Sequence, residues 1–313
     1  MIDFERAMLD QLDLDALLAP IEVTSFEKYG RNDGYGFASI LKAYAGYDPT
    51  APVEAVIPHG VYFDAERVAD EELEAPVPAV LNYPAFRSAT WEAASDKVVI
   101  PSASPFLYAL ALFRDAFPEA PPRQGTLFFP AHSTETVGEV VDTNALIRAL
   151  GRLDDELLPV TVCVHAADYA KGHHRPFVEA GLKVVSAGNV WDPEFMYRWL
   201  HLLSAHAHAA SNDVGGCAFY SVMADVQFSL IGDPPRQHVD SATHFLTGNM
   251  GLFYRPTSTQ MRETAEQIRG VFAGPRDAEF TARDLCEYLL GAENLKAPGE
   301  LLEVLEYAAS LAV

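Results

Sequence analysis

The sequence predicts an α/β protein with a parallel, doubly wound sheet in its second half and a helical C-terminal segment. Three observations point there. Between Thr126 and Ile231, five short apolar runs alternate with four segments of helical spacing, as strands do when crossover helices join them. Upstream, three more strand-like runs are interspersed with helix signals. In the last third, apolar residues recur at helical spacing.

Residues 1–20 read as an acidic amphipathic helix, with Phe4, Met8, Leu12 and Leu17 on its apolar side. The stretch 28–36 is rich in glycine and polar aromatics. It lacks GxGxxG spacing, so it reads as a flexible loop or a loop facing a ligand rather than a dinucleotide fingerprint. A helix through Ile40 and Tyr44 follows, then strands at 54–58, 79–83 and 97–100. Ser104 and Pro105 are an N-cap and a first-turn proline for a helix through Leu107, Leu110 and Phe113. The proline-rich 117–125 reads as a domain boundary.

Beyond it the expected order is strand 126–130, helix 142–156, strand 160–165, a helix or turn at 173–180 and strand 183–187. Helix 193–206, strand 207–211, helix 214–223 and strand 226–231 complete the alternation. A helix from Ser258 to Arg269 opens the last third. Thr281-Ala282-Arg283-Asp284 reads as a capping box for the next helix, and Pro298-Gly299 starts a terminal one with Leu301, Leu302, Leu305 and Leu311. These boundaries divide the chain into 1–124, 125–250 and 251–313.

Composition narrows the function. Among 313 residues, 44 are acidic and 22 basic, a formal charge of −22 that excludes a general binder of nucleic acid or anionic membranes. No stretch approaches the ~20 apolar residues of a membrane span. The N-terminus lacks the basic-then-apolar layout of a signal peptide, so a cytoplasmic location is expected. Cys163, Cys217 and Cys286 are far apart and form no CxxC, the pattern of reduced, buried thiols. His173-His174 and His206-x-His208 offer no metal constellation, and Walker A, nucleophile-elbow and HExxH motifs are absent. Neither metal nor resident cofactor is expected.

In a doubly wound sheet, ligands bind beyond the carboxyl ends of the strands. The most informative stretch is 207–220: an apolar run ends in Ser211-Asn212-Asp213, Gly215 and Gly216 follow, and a helix opens. The first N–H groups of such a helix have no partner and its dipole favours an anion, while glycine lets a phosphate approach closely. An ordinary capped βα turn has the same pattern. Other strand ends add His132, Ser133 and Thr134; His165 and Asp168; and Gly188, Asp192 and Glu194. His165 also reads as a core histidine and Asp192 as a helix cap. His59-Gly60 lies just past a strand of the first half, and Asp33 lies in the glycine-rich stretch.

Several of these segments match a known pattern. They are Ile57-Pro58-His59-Gly60-Val61, Pro101-Ser102 with Pro105-Phe106-x-Tyr108, and the run from Gly125 to Thr134. The others are Pro159 to Cys163 with Asp168-Tyr169, Gly188 with Asp192-x-x-Phe195, and Ser211-Asn212-x-x-Gly215-Gly216-x-x-x-Tyr220. Together they resemble a bacterial family of GT-B-like proteins from surface-polysaccharide gene clusters, similar in outline to sialyltransferases, Kdo-transferases and CDP-glycerol polymer transferases. The resemblance covers roughly 28–232.

It implies two Rossmann-like domains and metal-independent transfer of a sugar from a nucleotide-sugar donor, CMP-linked by preference, to a glycan or surface-polysaccharide acceptor. In that reading His59 or Asp33 faces the acceptor as base or orienting group. His132, Ser133 and Thr134 hold the phosphate, and Ser211, Asn212, Gly215 and Gly216 complete the cradle. Gly188 lies on the donor side, and Asp192 or Glu194 holds ribose. Ala131-His132-Ser133 stands where many such enzymes carry His-Pro, which leaves the nucleotide base open. A CDP-polyol phosphotransferase, a nucleotide-sugar epimerase and a non-catalytic partner protein are the alternatives on the same scaffold.

Overall fold

A computed structural model describes residues 13–22, 24–63, 68–119, 122–132, 137–140, 142–239, 259–273 and 279–312. The helix expected over 1–20 falls mostly outside them. Its described part is the single turn α1 (Leu14–Leu17), capped by the Asp13 carboxylate.

The first half contains α2 (Phe37–Ala45), β1 (Ala55–Val56), α3 (Asp70–Leu73), β2 (Ala79–Asn82), α4 (Ser88–Ala94), β3 (Val98–Pro101) and α5 (Pro105–Ala116). The three strands are parallel and lie in the order β1-β2-β3. All four residues of β2 are buried, as befits a strand covered on both faces. Alternation sorts its neighbours: Ala55, Ala79 and Leu81 meet α2 and α5, whereas Val56 and Val80 turn to a smaller core around Trp91 and Val77. Only two residues of the strand expected at 54–58 pair, so β1 is shorter than its apolar run.

The second half contains β4 (Thr126–Phe129), β5 (Val137–Val140), α6 (Thr143–Leu150), β6 (Val160–Cys163), α7 (Ala166–Ala170), α8 (Arg175–Glu179) and β7 (Lys183–Val185). It continues with α9 (Phe195–Ser204), β8 (His208–Ser211), α10 (Gly216–Met223), β9 (Gln227–Leu230) and β10 (Arg236–Val239). Five parallel strands lie in the order β7-β6-β4-β8-β9, the doubly wound arrangement expected of this half. Strand order reverses between β4 and β8, where such sheets open a crevice.

The two faces of this sheet feed different cores. Phe128, Val160, Val162 and Ala210 pack with Leu146 of α6 and Phe177 of α8. Leu127, Phe129, Cys163 and Ala209 pack with α9 and α10 into the core that also holds α2 and α5. Trp199 of α9 joins the halves, stacked on Phe129 at 5.3 Å and edge-on to Phe106 of α5 at 6.0 Å.

Among the described residues three α-helices follow: α11 (Thr259–Ala273) against β9, α12 (Glu279–Leu289) against α10, and α13 (Pro298–Ser310) against α2. Among the described residues no helix is long and apolar enough to cross a membrane.

Several boundaries depart from expectation. The helix expected over 142–156 ends at Leu150, and a 3-10 turn at Asp155–Leu157 follows. The region 173–180 extends back into two one-turn helices, α7 and α8, parted at Gly172, whose φ is +77°. Thr281 to Asp284 do not start a helix, because α12 already runs from Glu279. The antiparallel ribbon of β5 and β10, with Val140 opposite Arg236, was not anticipated: it pairs two short segments far apart in the sequence.

Candidate active site

The carboxyl ends of the two sheets converge. Past β1, the Phe63 ring reaches Phe219 of α10 at 5.3 Å. Past β2 and β3, Tyr83 and Ser104 stand beside Tyr220 of α10, and burial raises both tyrosine hydroxyls above their ordinary range. From the second sheet, the segment after β7 comes to the same place, where Val190 O accepts the Tyr35 N–H at 2.5 Å.

The glycine-rich stretch builds this junction. Residues Gly30–Gly36 form a 3-10 turn, with Tyr35 at φ +58° and Gly36 at φ +74°. The buried Asn32 holds it to the first sheet by donating to Ala55 O and accepting from the Ile57 N–H, both at 2.9 Å. A Cβ on Gly36 would stand 2.3 Å from Pro193 O, so only glycine permits the approach. The Tyr35 ring meets Phe195 edge-on at 5.2 Å. The stretch is thus a packed clasp between the two halves.

His59 lies beneath this clasp. Its ring stacks on Phe37 at 5.2 Å, and Nε2 is buried without a hydrogen-bond partner among the described residues. Gly34 covers that nitrogen: a Cβ there would be 2.8 Å away. Burial, reinforced by the Arg31 charge, lowers the His59 pKa to about 4, so the imidazole is neutral at pH 7. Asp33, half-buried in the same turn, accepts from Ser25 Oγ.

Across the junction, α10 starts without a side-chain cap. Gly215 occupies the N-cap position with φ −137°, and a Cβ there would meet nothing within 4 Å. The first N–H groups of this eight-residue helix lie at its positive end, and the Cys217 thiol sits beside those of Gly215 and Ala218. Gly216 lies against the Tyr220 ring, 3.3 Å from where a Cβ would be.

Other predicted residues serve the chain itself. Asn212, fully buried, accepts the Ala131 N–H at 2.7 Å and donates to Asp233 O at 3.2 Å, which ties together the segments beyond β4, β8 and β9. Ser211 Oγ accepts the Asp213 N–H at 3.2 Å. Asp192 pairs with Arg198 Nη2 at 2.7 Å and accepts the Glu194 N–H at 2.9 Å, so both carboxylate oxygens are engaged. Glu194 is buried beside Tyr197, whose hydroxyl it helps to raise. Gly188 has φ +102°, and a Cβ there would come 2.9 Å from Arg198 Nη2. Ser133 and Thr134 lie outside the described residues.

His132 follows β4, and its ring stacks on His165 at 4.2 Å and 12°. His165 Nδ1 accepts the Ala167 N–H at 3.2 Å and so caps α7. Burial first, then the neighbouring His132 and Lys171, lower its pKa to about 3. Sequence reading set His165 aside as a core residue. Adjacent strands β4 and β6 are each followed within three residues by a histidine, and that was the available signal. Arg269 of α11, which binds the Asp213 carboxylate from far along the chain, went unremarked. Tyr220, the last residue of the matched segment, lies one turn into α10. Among the described residues no group of three His, Cys, Asp or Glu side chains could hold a metal ion.

No family model matches this sequence, and no curated protein matches it. Solved structures do share similarity with the chain. The wall teichoic acid polymerase TagF is 10% identical over 81% of this chain and 67% of that one, with a TM-score of 0.40. UDP-GlcNAc 2-epimerase from Neisseria meningitidis, bound to UDP-GlcNAc, is 13% identical over 88% and 73%, with a TM-score of 0.34. MnaA of S. aureus, in complex with UDP, is 11% identical over 98% and 92%, with a TM-score of 0.41.

Proposed function

We propose that this protein is a nucleotide-sugar-dependent glycosyltransferase that transfers a sugar, by preference from a CMP-linked donor, to a glycan or surface-polysaccharide acceptor. One observation carries the reading: α10, which packs beside the junction where the two parallel sheets end, starts without a side-chain cap, and the neutral, buried His59 lies under the clasp at the same junction. A leaving phosphate is stabilised by N–H groups at a helix start. The first turn of α10 supplies them, and Gly215 keeps the approach open. His132, stacked on His165, borders the same strand ends.

His59 is assigned to the acceptor hydroxyl. A neutral imidazole accepts a proton, and Nε2 becomes available when Gly34 moves off it. Asp33 is placed on the same side as an orienting group. In this reading Asp192 positions the start of α9 through Arg198, and contact with ribose falls to Glu194.

The test is transfer itself. The protein is incubated with CMP-, CDP-, UDP- and GDP-linked sugars and short glycan acceptors, and released nucleotide and product mass are followed by mass spectrometry. One donor class should release nucleotide only when acceptor is present. His59→Gln should abolish release while nucleotide binding persists. Activity unchanged in His59→Gln would remove it from the chemistry, and no turnover with any donor would favour a non-catalytic partner protein.

A further inference from the structure

The second sheet carries another concavity, on the face away from the shared core. It is a cavity of about 350 Å³ beyond the carboxyl ends of β4 and β6. Pro130, Leu146, Val164 and Phe177 form apolar walls, and Leu146, Val164 and Phe177 belong to the outer core with α6 and α8. Ala131, also in the lining, precedes His132 and donates its N–H to Asn212, so the cavity adjoins the strand ends described above on the α6 and α8 side.

Two titratable groups break the apolar lining. Asp168 is 7% exposed, and its Oδ1 lies 3.0 Å from His173 Nδ1. A second tie fixes the pair, since the His173 N–H donates to Asp168 O at 2.9 Å. Thr143, in the first turn of α6, adds a hydroxyl to the lining. The proposed transferase chemistry uses none of these three residues.

We propose that this cavity is a small-molecule site for a flat heteroaromatic ring bearing an exocyclic amino group, with Asp168 accepting from that amino group. The volume is at the lower end of ligand pockets, which are mostly apolar with a few convergent polar groups. Apolar walls suit the faces of a ring. A carboxylate offers about four acceptor positions and no donor, so Asp168 has room for an amino N–H beside the contacts it already makes, that with His173 among them. A ring that presents a carbonyl at that position sets two acceptors against each other and is rejected. Carboxylates read the cytosine amino group in this way elsewhere.

The probes are nucleosides, which lack phosphate and so gain nothing from the start of α10. Cytidine, adenosine and uridine are titrated into the full-length protein and followed by ligand-observed NMR. Cytidine or adenosine should bind at least tenfold more tightly than uridine. Asp168→Asn should remove that preference, and Thr143→Trp, which fills the cavity from α6, should abolish binding of all three. Circular dichroism confirms that each variant is folded. Equal binding of the three nucleosides, no binding at millimolar concentration, or a preference unchanged in Asp168→Asn would each overturn the assignment. Asp168→Asn and Thr143→Trp leave the start of α10 and His59 untouched, so loss of the preference in these variants with transfer retained separates this site from the transferase reading.

Discussion

Replacing Gly36 with alanine puts the clasp between the two halves to a quantitative test. Gly36 has φ +74°, and a Cβ there would lie 2.3 Å from Pro193 O, a backbone atom that no side-chain rotation can remove. The left-handed conformation alone costs an alanine roughly 1–2 kcal/mol. Displacing the segment around Pro193 adds an overpacking cost of about 1–3 kcal/mol, and losing the Tyr35 N–H to Val190 O bond adds ~1 kcal/mol. The expected loss is therefore roughly 3–6 kcal/mol. Gly46 supplies the control: its φ is +70°, and nothing lies within 4 Å of its Cβ position. Gly46→Ala should bear only the backbone cost, about 1–2 kcal/mol. Urea unfolding of both variants separates contact from conformation. If Gly36→Ala costs no more than Gly46→Ala, the approach to Pro193 contributes nothing to the clasp.

Three more outcomes follow from the same coordinates. His59 and His165 are lowered from 6.5 to about 4 and about 3, so the unfolded chain takes up protons below pH 6.5 while the folded one does not. Stability should therefore fall as pH drops from 6.5 towards 4, by about 1.5 kcal/mol per histidine between pH 6.5 and 5. A His59→Gln, His165→Gln double variant with an unchanged pH slope would contradict this. Asn212→Ala leaves the Ala131 N–H and Asp233 O without their partner and should cost about 2–3 kcal/mol by urea unfolding; a loss under ~1 kcal/mol would refute its role as a tie between strands. Asp225, at φ +58°, holds Arg114 and Arg283 at 2.6 Å each, and its carbonyl accepts from Arg123 at 2.7 Å. Asparagine tolerates that backbone, so Asp225→Asn isolates the charge: about 1 kcal/mol should be lost at low salt and less in ~0.5 M NaCl, whereas a salt-independent loss would argue against an ionic role.

The second sheet was legible because five apolar runs are punctuated by helical segments, and parallel strands buried on both faces have to be apolar throughout. The first sheet was legible only as strands. Its order rests on pairings over two to four residues, too few to leave a pattern. At the site, sequence reading found the strand ends but could not tell which polar groups look outward. Asn212 and Asp192 sit where ligand-binding residues sit, yet they satisfy backbone and arginine groups of the chain, because every strand end also has loops to anchor. The stretch 28–36 read as either a flexible or a ligand-facing loop. Its glycines instead permit close approach to Pro193 and His59, a long-range contact invisible in local spacing. The Asp168–His173 pair escaped notice because a one-turn helix and the turn after it bring the two together over five residues.

The account rests most directly on the start of α10 as the phosphate cradle, and Gly215→Asp tests that alone. Aspartate fits the φ of −137°, and its Cβ enters open space, so it caps the helix and should stabilise the free protein by a few tenths of a kcal/mol. The same carboxylate would occupy the N–H groups assigned to the donor phosphate. Thermal unfolding is measured with CMP, CDP, UDP, GDP and ADP. A nucleotide at ~100 times its dissociation constant should stabilise the natural sequence by roughly 2.7 kcal/mol. The account predicts that Gly215→Asp is slightly more stable than the natural protein without nucleotide and loses most of that ligand-induced gain. A variant stabilised by nucleotide as fully as the natural sequence would contradict it.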